Sequence, residues 1–197
     1  MELLDGADDE IEDWQDVISD IGEQHAAHPG LNQIRFESAS RAMGPLDQLE
    51  ALLHDVLELL GAGPRSPGRH RADAAERPRR PRRWPAELAG VPESHLQGDQ
   101  LKDLTYAQLH ALTMADDPDE VAEMGLRWDA ISRSAWHRGS RLYDMVHQMH
   151  AVDPRLQWLA DGYRSFAART DHYAKTFANA AESQREARTK LEELGPP

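Results

Sequence analysis

The chain contains no cysteine, which excludes a disulfide framework and a thiolate zinc site. Aromatic residues make up only 6% of the 197 positions. No window approaches the roughly eighteen uninterrupted apolar residues a membrane helix needs. The opening stretch MELLDGADDEIEDW has neither a basic region nor an apolar core, so no Sec-type signal is expected there. The β-branched runs that favour strands are missing too. No Gly-rich phosphate loop, nucleophile elbow or pair of catalytic carboxylates can be picked out. What remains is a chain 40% hydrophobic and 29% charged, and we expect an all-α protein that calls for no cofactor.

Charge divides the chain into three. Of the formal −13, residues 1–60 carry −13, with 15 Asp and Glu against 2 Arg; residues 61–90 carry +5 and residues 91–197 carry −5. The middle stretch, GAGPRSPGRHRADAAERPRRPRRWP, is dense in Pro, Gly and Arg with no apolar periodicity. That composition reads as a disordered linker. Its Arg run could meet phosphates, but no aromatic-interleaved basic face accompanies it, and counter-charge between two acidic segments is the simpler use. Nucleic acid is therefore not an expected partner. The expected organisation is an acidic helical segment at 1–60, a Pro/Arg-rich linker at 61–92 and a helical domain at 93–197.

The clearest periodicity lies in the last of these. A walk in steps of three and four passes Val121, Met124, Trp128, Ile131, Ala135, Arg138, Leu142, Met145 and Met149. A second passes Leu156, Leu159, Tyr163, Phe166, Thr170, Tyr173, Phe177, Ala180, Gln184, Ala187, Leu191 and Leu194. Such stripes predict two long amphipathic helices, at about 119–150 and 155–194, joined through a coiled-coil-like seam. Trp128, Ile131, Leu142, Met145, Tyr163, Tyr173 and Phe177 are the candidate seam residues. Asp116 to Glu120, Asp153-Pro154 and Gly195-Pro196-Pro197 supply starts and stops. The short connection forces an antiparallel hairpin. Two helices alone cannot cover Trp128, Trp136, Tyr143, Trp158 and the Met and Leu side chains around them. A further pair is expected to complete a four-helix arrangement, supplied by the N-terminal segment or by another hairpin. In that segment Ile11, Trp14, Ile18 and Ile21 share one helical face, and Leu46, Leu49, Leu53, Val56 and Leu60 another; His25 and His28 read as loop residues beside Pro29-Gly30.

A helical hairpin of about a hundred residues, with Trp158 at the turn, small residues Ala160 and Gly162 after it and Phe166 eight residues on, resembles the WXG-motif family of type VII (ESX) secretion substrates. The stretch from Leu104 to Ala135, with Trp128 on the first helix, is also similar to actinobacterial members. The resemblance spans roughly residues 101–194. The family's Gly two positions after the Trp is Ala160 here, so the turn must be built differently. Its export signal, Tyr followed four residues later by an acid, is absent: Ala167 follows Tyr163 and Phe177 follows Tyr173. The resemblance implies a non-catalytic protein that pairs with itself or a related hairpin as a dimer. It also implies a protein that stays cytoplasmic or leaves by a route without a signal peptide. Trp158, Ala160, Gly162 and Phe166 would form its partner-binding turn.

Two other readings stay open. Asp144, His147 and His150 recur at steps of three, with His137 two turns earlier, and could serve a metal-dependent bundle enzyme if Asp171, His172 or Glu182 converged on them. A solvated polar face is the plainer account of the same residues. Alternatively, residues 1–60 bind a protein as an acidic adaptor.

Overall fold

Two Asp-Pro pairs set the long helices. Asp117 Oδ1 accepts the Asp119 N–H at 3.0 Å and Asp153 Oδ1 accepts the Arg155 N–H at 2.9 Å, with Pro118 and Pro154 opening each helix, where a missing N–H costs nothing. The computed structural model describes residues 4–27, 38–61, 86–88, 102–149 and 152–195. Among them are α1 (Ala7–Ala27), α2 (Ser38–Leu59), α3 (Tyr106–Ala115), α4 (Pro118–Gln148) and α5 (Pro154–Leu194), with a 3-10 turn at Ala86–Leu88 and no strand. The fold is all-α. Most of the 61–92 stretch read as a linker lies outside the described residues.

α4 and α5 form the expected hairpin. With 31 and 41 residues they extend about 46 and about 61 Å. Their seam is a heptad pattern of alternating steps of four and three: Val121, Gly125, Trp128, Ser132, Ala135, Gly139, Leu142 and Val146 face Leu156, Ala160, Tyr163, Ala167, Thr170, Ala174, Phe177 and Ala181, all buried. Half of these residues are Gly, Ser or Ala, and they let the backbones close up. A Cβ on Gly125 would stand 3.2 Å from the Ala174 carbonyl oxygen, and one on Gly139 would stand 2.9 Å from Tyr163 Cβ. Between them Ser132 Oγ donates to the Ala167 carbonyl at 2.9 Å.

The predicted stripe coincides with this seam at Val121, Trp128, Ala135 and Leu142 and leaves it at the positions between. Arg138 turns toward α1 and Met145 is half-buried, because the seam continues through Gly139 and Val146, and Met149 is exposed because α4 ends at Gln148. Ile131 is buried on the side facing α1, and Tyr173 is half-buried. Thr170, a polar interruption in the sequence, donates to the Phe166 and Ala167 carbonyls of its own helix.

The N-terminal segment supplies the second pair of helices. Ile11, Trp14, Ile18 and Ile21 on α1, and Leu46, Leu49, Leu53 and Val56 on α2, join the hairpin in one core. The Trp14 ring stacks on Phe166 with centroids 5.6 Å apart and meets Tyr163 edge-on at 6.2 Å. α2 crosses α5 over Gly162, where an added Cβ would lie 3.2 Å from Leu49 Cδ1. α1 closes on α4 through polar contacts: Arg127 to Asp20 at 2.6 Å, Arg138 to Glu10 at 2.5 Å, and Ser134 to Glu10. Neighbouring helices in this bundle run antiparallel, as the pairing of low with high residue numbers shows.

Two sequence readings are corrected here. Leu60 leaves the apolar face, since α2 ends at Leu59 and turns through Gly61 at φ +71°, so Leu60 is 41% exposed. His25 is no loop residue: it occupies the last turn of α1, buried, with its ring edge on Phe177 at 5.9 Å. His28 lies outside the described residues.

Candidate interaction surface

The four motif residues are split between core and surface. They sit inside α5, beyond the turn, which falls between Gln148 and Pro154. Ala160 is a seam residue and Phe166 lies under Trp14, so both are inaccessible to a partner. Gly162 is half-buried beneath α2. Trp158 alone of the four projects outward, 57% exposed. Asp153 anchors the start of this helix, where the Arg155 guanidinium holds its carboxyl at about 2, below the ordinary 3.8. Buried Tyr163 finds no partner for its hydroxyl among the described residues, and desolvation pushes its ionisation above the usual tyrosine range.

The hairpin's outer face, turned away from α1 and α2, carries a feature no stripe reading suggested. Trp136 and Tyr143 lie on one edge of α4, and Arg164 of α5 reaches between them. Its guanidinium carbon lies 5.2 Å from the Trp136 centroid and 4.8 Å from that of Tyr143. His147 stacks on Tyr143 with centroids 3.9 Å apart. Gly139 makes this stack possible. A Cβ there would stand 2.9 Å from Arg164 Cγ and 3.1 Å from Arg164 N, so any side chain would block the Arg164 stem from crossing α4. Trp136 remains 50% exposed and Leu126, on the same helix, 65% exposed. The spacing of Trp136 and Tyr143, seven residues apart with Gly between, was the available signal in the sequence.

A second open surface lies at the far end of α5. There α3, capped by a reciprocal Thr105–Gln108 pair, leans on the last turns through Tyr106 Oη donating to the Gly195 carbonyl at 3.0 Å. Arg188 reaches the Thr113 and Asp116 carbonyls. A 790 Å³ groove lined by Tyr106, His110, Met114 and Leu191 lies between them.

Of the candidate metal ligands, Asp144 and His147 are exposed, and His150 lies outside the described residues. His147 Nδ1 sits 3.0 Å from the Tyr143 carbonyl of its own helix. Among the described residues no three His, Asp or Glu side chains come together in a metal-holding group, and no described helix is long and apolar enough to cross a membrane. No protein-family model, curated protein or solved structure matches the chain.

Proposed function

We propose that the protein is a non-catalytic helical interaction module, related in plan to the WXG-like proteins of type VII secretion. One observation carries the reading. Trp136 and Trp158 are at least half exposed on a bundle whose four helices already close its core. Large amphipathic rings left in water cost solvation without adding to folding, and such residues are over-represented at the centres of protein interfaces. The pairing surface of the hairpin is occupied by α1 and α2, so a partner docks on the outer face and adds helices to a finished bundle. The antiparallel hairpin with its short Asp-Pro turn supports kinship with WXG-like proteins, and a partner supplies any export signal, since neither tyrosine is followed by the acid.

Site-specific photo-crosslinking in the cell of origin tests this. A benzophenone side chain at position 136 or 158 is expected to capture a polypeptide, another protein or a second copy, that the same group at exposed Glu182 does not. Equal capture at all three positions, or none at 136 and 158, contradicts the reading.

A further inference from the structure

Five of the hairpin's arginines are held by acids, and Arg164 is held by rings. Arg127, Arg133, Arg138, Arg155 and Arg185 each meet a carboxylate: Asp20, Asp129, Glu10, Asp153 and Asp119. Arg164 meets none, and among the described residues no hydrogen bond or ion pair engages its guanidinium. Asp161, the acid one turn away, is bonded instead to Gln157 Nε2 at 3.1 Å.

The side chain is nonetheless held in place. Its stem is threaded over Gly139 and its charged plane is flanked by two rings, so most of the rotamer entropy that binding would otherwise cost is already lost in folding. The rings lie on either side of the guanidinium carbon and offer it no lone-pair acceptor. The in-plane N–H groups are left to a ligand, and their fork matches a carboxylate in a two-bond arrangement. Trp136, half exposed beside them, supplies an apolar floor.

We propose that the slot formed by Trp136, Arg164 and Tyr143 binds a carboxylate on an acidic segment of a partner protein, with an adjoining apolar side chain seated on the Trp136 indole. This rests on the interaction reading above and names the chemistry of the partner. A nucleic acid is disfavoured as occupant of this slot, since a phosphate backbone carries many charges past a site that presents a single guanidinium, in a chain of net charge −13.

The test is selection of random 12-residue peptides displayed on phage against the whole chain, followed by titration of synthetic binders. Selected peptides are expected to share an Asp, Glu or free C-terminal carboxylate within two residues of a Leu, Met or aromatic side chain. Binding should weaken about tenfold or more in Arg164→Gln, less in Arg164→Lys, and fall with added salt, while Glu182→Gln at an exposed position of α5 leaves it unchanged. Circular dichroism checks that each variant keeps its helices; if Arg164→Gln does not, Trp136→Ala carries the same comparison. Binders without an acid, undiminished binding to Arg164→Gln, equal loss in Glu182→Gln, or no binders at all would overturn the slot. A 12-nucleotide strand competing through Arg164 would overturn it as well. Each of these results leaves the photo-crosslinking outcome, and so the broader interaction reading, to stand or fall separately.

Discussion

The same hairpin presents two unlike faces. Its inner face buries Trp128, Tyr163, Phe166 and Phe177 against the seam and the N-terminal helices, and its outer face leaves Trp136 half in water; Trp158, elsewhere on α5, is 57% exposed. Both faces carry aromatic side chains on regular helices, so residue type does not separate them. What separates them is coverage: α1 and α2 return to the inner face, and none of the described helices covers the outer one. A buried aromatic here is a stability element, and an exposed one is available for recognition.

The largest effect should come from breaking the inner face. Trp128→Ala removes a fully buried indole and is expected to lower unfolding free energy by about 3–5 kcal/mol in urea denaturation, whereas Trp158→Ala changes it by less than about 0.5 kcal/mol. Equal losses would erase the distinction. Gly139→Ala sits where the two faces meet. Overpacking against Tyr163 Cβ and the Arg164 backbone should cost about 1–3 kcal/mol, and displacement of Arg164 should shift Trp136 fluorescence. Glu10→Ala sharpens the account of how the inner face is covered. It strips Arg138 and Ser134 of their α1 partner, both pair members being about one-fifth exposed, and should cost about 1–2 kcal/mol by the same denaturation.

The smallest effect is a pH dependence at the hairpin turn. Asp153 has its carboxyl lowered from 3.8 to about 2 by Arg155. Its stabilisation is therefore complete above about pH 4 and disappears as pH falls toward 2, where the folded form too takes up the proton. Thermal melts of Asp153→Asn and the parent should differ at pH 5 and converge near pH 2. A gap that persists at pH 2 would mean the side chain acts by some means other than its charge.

Much of this was legible in the residues. Asp117-Pro118, Asp153-Pro154 and Gly195 mark helix ends that the structure places within a few positions, because capping chemistry is local. The apolar faces of α1 and α2 were legible for the same reason. The seam's true phase was not. Gly125, Ser132 and Gly139 recur every seven residues, but small side chains add nothing to a hydrophobic stripe, and the walk over large residues slid onto Arg138 and Met145. Nor does periodicity say what an apolar face packs against; that depended on Trp14 reaching Phe166 across the bundle. The Arg164 slot was hidden because it joins residues from two helices through a glycine whose importance appears only as a distance.

The chain covers the inner face of its own hairpin with α1 and α2, and none of its described helices covers the outer face. Hydroxyl-radical footprinting read by mass spectrometry tests it directly at the tryptophans. Trp136 and Trp158 are expected to oxidise readily in the native protein, while Trp14 and Trp128, 5% and 0% exposed, react only after unfolding. Oxidation of Trp14 at the rate of Trp158 would show that α1 does not stay on the hairpin, and the claim would fail.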